Sequence, residues 1–200
     1  MINVAFCIDD NFAPYLAVSL ASLIKNTDSC VSLNVVGNLS SEVKLCLRML
    51  ESEKVTINFI AYKANITEGK LSERYQGRLN GITFIRYALA EILPQLDRVV
   101  YLDADILVTG DIKTLWDESL DGKTVGVVED HSLMSQNRPE KIALSSKSYF
   151  NAGVMLIDLA KWRENDTFQH LTSVHSSREQ WEYNDQDVLN PHSYLHKLYS

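Results

Sequence analysis

Val99-Val100-Tyr101-Leu102-Asp103-Ala104-Asp105 is an apolar run of strand length that ends in two carboxylates one small residue apart. A run with so little polar alternation reads as a strand buried on both faces, the environment of a mainly parallel sheet covered by helices. In open α/β sheets ligands bind beyond the carboxyl ends of the strands, where Asp103 and Asp105 fall. Two carboxylates there suit a divalent cation that bridges phosphate oxygens, and oxygen ligands favour Mn²⁺ or Mg²⁺ over Zn²⁺. Taken alone the pair says little, because aspartates commonly end strands as turn and cap residues.

The same alternation of strand-length apolar runs and helical periods extends in both directions. Residues 2–8 form a first buried strand that opens into Asp9-Asp10-Asn11, and residues 14–24, with Pro14 in the first turn, suit a helix. A second strand at residues 33–36 precedes a helix capped by Ser40 or Ser41, with Val43, Leu47 and Leu50 on one face. Val55–Ile60 alternates as a third strand. After the polar stretch from Gly77 to Gly81, Thr83 opens a helix carrying Ile85, Leu89 and Ile92 and stopped by Pro94, with Arg86 one step from its apolar face. Residues 125–128 and 154–157 read as further strands, and Asp158 and Asp166 as helix caps. The expected fold is therefore α/β, a mixed, mostly parallel sheet flanked by helices. With no linker, repeat or composition shift, residues 1–200 are read as a single domain.

Composition narrows the function. The 200 residues are 46% hydrophobic and 22% charged with eight glycines and four prolines, which excludes disordered, collagenous and low-complexity classes. A net charge of −7 argues against nucleic acid as a partner and against binding to anionic lipid. Cys7, Cys30 and Cys46 form no CxxC pair and are odd in number, so neither a disulfide framework nor a cysteine zinc site is indicated, and a reducing, cytoplasmic compartment fits. The longest mostly apolar run, residues 16–24, is too short to span a bilayer.

No glycine-rich phosphate loop is present, so a bound nucleotide would need a metal or side chains to neutralise its phosphates. Three other apolar runs also stop at acids or amides, at Asp9-Asp10-Asn11, Glu129-Asp130 and Asp185-Gln186-Asp187, and four such clusters could converge on one crevice. These blocks carry a resemblance. Residues 5–12 (Ala-Phe-Cys-Ile-Asp-Asp-Asn-Phe), 101–108 (Tyr-Leu-Asp-Ala-Asp-Ile-Leu-Val), 149–157 (Tyr-Phe-Asn-Ala-Gly-Val-Met-Leu-Ile) and 184–190 (Asn-Asp-Gln-Asp-Val-Leu-Asn) are similar, in order and spacing, to motifs of the retaining glycosyltransferases of family 8. That group contains bacterial lipooligosaccharide galactosyl- and glucosyltransferases and, more distantly, glycogenin. The resemblance runs from residue 2 to about residue 190.

It implies a GT-A type nucleotide-binding domain that transfers galactose or glucose from a UDP-sugar, with Mn²⁺ (or Mg²⁺), to a saccharide or glycolipid acceptor such as lipooligosaccharide core. Carried over residue by residue, Asp9 and Asn11 would meet uracil and ribose, with Asp10 beside them and Cys7, Ile8 and Phe12 as pocket walls. Arg86 would contact the donor sugar or its phosphates; Asp103 and Asp105 would bind the metal, with Ala104 between them. Asn151, Ala152 and Gly153 would line the sugar pocket, Asp185 and Gln186 would hold the transferred sugar, and Asp130 would face the acceptor. For retention, same-face transfer with Gln186 stabilising positive charge is favoured over covalent catalysis by Asp187.

Each assignment has a plainer counterpart. Arg86 could be a surface ion-pair residue, Asp187 a first-turn residue satisfied by backbone amides, and Asp130 a loop cap. His192 and His196 have i, i+4 spacing but no accompanying HExxH glutamate, and Trp116 and Trp162 read as core. Family members usually continue to a histidine that completes the metal site and a Gly-x-x-Lys-Pro-Trp-like segment, neither of which this sequence matches. A domain truncated at its C-terminus is therefore expected, with peripheral membrane contact only in a longer form. A catalytically impaired sugar-nucleotide-binding fragment or pseudoenzyme is the alternative. A haloacid dehalogenase-type phosphatase is more remote, since its DxD strand normally comes first in the chain.

Overall fold

The computed structural model describes residues 1–62, 81–144, 148–178, 181–192 and 196–199. Its centre is a seven-stranded mixed sheet. In chain order the strands are β1 (Ile2–Cys7), β2 (Val31–Val36), β3 (Val55–Ile60), β4 (Arg98–Leu102), β5 (Val125–Glu129), β6 (Phe150–Asp158) and β7 (His196–Tyr199). Across the sheet the order is β3-β2-β1-β4-β6-β5-β7. Only β6 runs against its neighbours, antiparallel to β4 and β5, while the other pairings are parallel. The mixed, mostly parallel α/β sheet read from the sequence is thus the one observed.

Strand pleating distributes the side chains to two apolar layers. Val4, Phe6, Val100 and Leu102 point to the face covered by α1 (Ala13–Asn26) and α2 (Ser41–Arg48), through Leu16, Leu20, Leu23 and Leu47. Ala5, Val99, Tyr101, Met155 and Ile157 point to the opposite face. That face is covered by α3 (Leu89–Ile92), α7 (Leu159–Glu164), α8 (Thr167–Ser176) and α9 (Asn184–His192) through Leu89, Trp162, Leu171 and Val188. The short helices α4 (Ile112–Trp116), α5 (His131–Ser135) and α6 (Arg138–Lys141) lie in the connections around β5. Since side chains alternate with period two, Tyr101 and Asp103 look to the second face, as does Cys7 at the end of β1. From β1 the chain proceeds outward to β2 and β3 on one side, and after β3 it returns to β4 on the other side of β1, so the ends of β1 and β4 form a topological switch point.

Local details match or revise the sequence reading. Ser40 caps α2, its Oγ accepting from Val43 N, and Asp158 caps α7 by accepting from Lys161 N. Asp166 occupies the cap position of α8, but its left-handed backbone (φ 48°) leaves the side chain without a capping bond. The expected helix from Thr83 is instead a 3₁₀ segment, Gly81–Ala88, continued by the single turn of α3. Here the Thr83 carbonyl accepts from the Arg86 guanidinium at 3.0 Å, a partner from outside the i to i+4 ladder. Strand β6 begins four residues earlier than read, so Asn151, Ala152 and Gly153 lie on it. Gly37 follows β2 with φ +147°, and a Cβ there would meet the Ile8 carbonyl at 1.9 Å, so the crossing of these two chain segments admits only glycine. Trp162 is core, whereas Trp116 lies partly exposed beneath the Arg98 guanidinium. Gly77 and the side chains of His192 and His196 lie outside the described residues.

Candidate active site

The ends of β1 and β4, the 3₁₀ segment, the start of β6 and the first turn of α9 enclose a cleft of about 370 Å³. Cys7, Phe12, Arg86, Asp103, Ala104, Asp105, Asn151, Ala152, Gly153, Asp185 and Gln186 all line it. Eleven of the residues singled out from the sequence therefore meet in one place.

Arg86 organises the floor. It is 6% exposed and donates from Nη2 to Asp103 Oδ1 (2.9 Å) and from Nη1 to the Ala152 carbonyl (3.0 Å), with Asp185 Oδ2 3.1 Å from Nη1. Its guanidinium lies over the Tyr101 ring at 4.6 Å, and the Tyr101 hydroxyl donates to the same Asp103 Oδ1 at 2.7 Å. Thr83 Oγ1 donates to Asp185 Oδ1 at 3.2 Å. One cation thus serves two carboxylates. Burial lowers the Arg86 pKa, but Asp103 and Asp185 outweigh it and hold the group firmly protonated. Burial dominates at Asp185, pushing its carboxyl up to about 6 against the opposing pull of Arg86. Burial likewise pushes the Cys7 thiol up to about 12, so Cys7 is a neutral wall rather than a thiolate. The surface ion-pair reading of Arg86 does not hold: the pair is buried.

Asp103 Oδ1 is occupied, while Oδ2 faces Gly153, where an added Cβ would approach it to 2.9 Å. Asp105 is exposed beyond the strand end. The free carboxylate oxygens of this pair fit one side of a hard-cation site. Among the described residues no cluster of three or more His, Cys, Asp or Glu completes such a site.

The opposite wall is a chain of amides. Gln186 Oε1 accepts from Ala152 N at 3.0 Å, which orients the amide, and Gln186 Nε2 donates to Asp130 Oδ2 at 3.0 Å. Asp130 Oδ1 accepts from Leu133 N, so this residue caps α5 while its other oxygen supports Gln186 from behind the cleft lining. Asn190 locks α9 to β6, accepting from Phe150 N at 2.9 Å and donating to Phe150 O at 3.0 Å.

Six predicted residues stand apart from the cleft lining, Asp130 among them, which meets it through Gln186. Ile8 is buried in the α1-side core, so it is no pocket wall. Asp9 holds the turn after β1, accepting from Asn11 N (3.0 Å), Phe12 N (3.3 Å) and Asn11 Nδ2 (3.3 Å), and Asp10 accepts from Ser40 N at 2.9 Å. Asn11 sits exposed on that turn. Asp187 is 0% exposed and accepts from Arg138 Nε (2.9 Å) and Nη2, Tyr149 Oη (2.7 Å) and Tyr183 N (2.9 Å). With its oxygens so engaged and turned from the cleft, Asp187 is not placed to attack a bound sugar. Sequence reasoning missed Thr83 and Tyr101 as site residues. A tyrosine in a wholly buried strand two residues before an aspartate was a signal, since a buried hydroxyl seeks a partner. Arg138 carried no such signal.

Residues 3–194 match the family model described as glycosyl transferase family 8. The chain is 26% identical over 195 residues to the lipopolysaccharide 1,2-glucosyltransferase of Escherichia coli, covering 94% of this chain and 57% of that protein. It is 27% identical over 199 residues to general stress protein A of Bacillus subtilis, covering 95% and 68%. A crystal structure of the galactosyltransferase LgtC with donor and acceptor sugar analogues superposes with a TM-score of 0.89 at 29% identity, covering 98% of this chain and 73% of that one. The chain thus spans a little over half to about two thirds of these curated relatives. Among the described residues no helix is long and apolar enough to cross a membrane.

Proposed function

Because the chain belongs to glycosyl transferase family 8 and has the GT-A type fold, we propose that it is a retaining hexosyltransferase. The donor is UDP-galactose or UDP-glucose and the acceptor a saccharide, with lipooligosaccharide core as the reading closest to its motifs. The observation that carries the reading is Arg86 on the floor of the cleft, bridging Asp103 at the end of β4 and Asp185 at the start of α9. This joins a phosphate-side and a sugar-side carboxylate around one fixed cation.

In this reading the diphosphate lies between Arg86 and the Asp103–Asp105 pair, and the nucleoside toward Cys7, Phe12 and the Asp9–Asn11 turn. The sugar lies against Asn151, Ala152, Gly153, Asp185 and Gln186. Asp103 Oδ2 and Asp105 would hold the Mn²⁺ or Mg²⁺, which when bound neutralises charge developing on the departing diphosphate. The Arg86 guanidinium, kept cationic by its two carboxylates, adds to that stabilisation. Bond breaking leaves positive character at the anomeric carbon, which the Gln186 amide and the Asp185 carboxylate face. The acceptor hydroxyl then attacks on the face that UDP leaves, passing its proton to the departing phosphate oxygen. Burial and saturation of Asp187 support this route over a glycosyl-enzyme intermediate.

The test is calorimetry of UDP binding, together with UDP-hexose hydrolysis, with and without Mn²⁺. The parent chain is compared with Asp103→Asn and Asp105→Asn. Metal-dependent binding in the parent that both variants lose supports the donor site. Binding without turnover points to the impaired, binding-only form, and absence of metal-dependent binding in the parent refutes the proposal.

A further inference from the structure

Three successive residues at the start of α9 grip three different parts of the molecule. Asp185 faces Arg86, Gln186 faces Ala152 and Asp130, and Asp187 faces Arg138 of α6. Successive helical side chains point about 100° apart, so these grips together fix the rotation of the turn about its axis as well as its height. The third grip lies outside the cleft. Arg138 and Asp187 are both buried, and the guanidinium forms a two-bond fork on the carboxylate. The fork is backed by an ion pair from Arg138 to Glu182, and the guanidinium lies 4.9 Å over the Tyr183 ring. Tyr183 and Asn184 lead into α9 and line the cleft, and Tyr183 N donates to Asp187 as well.

The segment that delivers Arg138 begins at Asp130, whose carboxylate receives Gln186 Nε2. Residues 130 and 138 therefore hold consecutive residues of α9, at Gln186 and Asp187. We infer that Arg138 is a positioning residue: through Asp187 it sets the first turn of α9 and so places Asp185 and Gln186 in the cleft, coupling the Asp130 segment to the donor side. Its consequence for sugar transfer rests on the function proposed above; its effect on geometry does not.

The geometry has a reporter independent of activity. The Ala152 amide donates to Gln186 Oε1, so its hydrogen exchange reads whether Gln186 is held in place. Arg138→Lys keeps a charge opposite Asp187 but loses the planar fork, and it avoids leaving the carboxylate unpaired as Arg138→Met would. In Arg138→Lys, exchange at Ala152 should rise about tenfold, the weight of one hydrogen bond, while the amides of Val4 and Val35 in the central ladder stay at parent rates. UDP affinity with Mn²⁺ should remain within about twofold. Turnover of UDP-hexose should fall about a hundredfold, as for a misplacement on the order of 1 Å. Parent-like exchange at Ala152, or a rise shared equally by Val4 and Val35, overturns the inference, because the pair would then be only a stabilising contact. Failure of the functional reading registers separately, as a parent chain that binds no UDP, and the exchange measurement still decides the role of Arg138.

Discussion

Gly153→Ala tests how tightly Asp103 is held at the mouth of the cleft. The glycine is not in the left-handed region, so space alone decides the outcome. A Cβ there would lie 2.9 Å from Asp103 Oδ2 and 3.0 Å from Asn151 Oδ1. The backbone cannot easily yield, because Gly153 O accepts from Asp103 N at 2.8 Å and Gly153 N donates to Asn151 Oδ1 at 2.8 Å. The carboxylate must turn, and turning it breaks its contact with Arg86 (2.9 Å) or Tyr101 (2.7 Å). A hydrogen bond to a charged group contributes about 1.5–3 kcal/mol. With the Asp103 side chain 34% exposed, solvent recovers part of that, and the lower end applies. About 1.5 kcal/mol corresponds to roughly tenfold weaker UDP binding in saturating Mn²⁺, measured by calorimetry. Were Asp103 free to move aside, the alanine would instead restrict the unfolded chain more than the folded one and raise stability by about 0.4–1 kcal/mol. Parent-like affinity with an equal or higher melting temperature would refute the reasoning.

Arg86→Met should destabilise the chain by about 3–5 kcal/mol in urea unfolding, since it strands the buried Asp185 carboxylate. Arg86→Lys should fail to restore UDP affinity, because a single ammonium cannot span Asp103, Asp185 and the Ala152 carbonyl; recovery to the parent value would count against the bridging role. The Asp185 carboxyl, pushed up to about 6 from 3.8, binds its proton more tightly in the folded than in the unfolded chain. Its contribution to stability is therefore present below about pH 4 and is lost as pH rises through 6. The melting temperature of Asp185→Asn relative to the parent should climb between pH 4 and pH 6.5, and a flat or falling difference contradicts the assignment. Asn190→Ala removes both side-chain hydrogen bonds to the Phe150 backbone and should lower stability by about 1–3 kcal/mol, read by thermal melting; a loss below about 0.5 kcal/mol would show that α9 is held mainly by other contacts.

Much of the cleft was legible because its residues end apolar runs. Asp103 and Asp105 stood out by position, because they follow the carboxyl end of a buried strand, whereas the block from Asn151 to Gly153, at the start of antiparallel β6, stood out only by resemblance. Asp185 and Gln186 stood out as a polar cluster after an apolar run, and their roles came from the resemblance of their block. Asp187 had the same local signature as Asp185, and only its surroundings separate them. A shift of two residues along α9 moves a carboxylate from the cleft wall to the buried Arg138 fork. Ile8 was misplaced for a similar reason. Which face of the sheet a strand-end residue takes depends on pleat and register, and Ile8 went to the side of α1. The 3₁₀ segment was read as an α-helix because apolar periodicity does not register that the Thr83 carbonyl bonds a guanidinium.

The sequence by itself determined the layered α/β plan, strand ends that line the cleft and the family, since these follow from patterns local to the chain. The tertiary structure alone decided the partners. It set one arginine between two carboxylates, turned Asp187 inward, and joined Asp130 to Gln186 across 56 residues of chain. Hydrogen bonds and ion pairs act within a few ångströms, whereas sequence spacing says nothing of distance once the chain has folded back on itself.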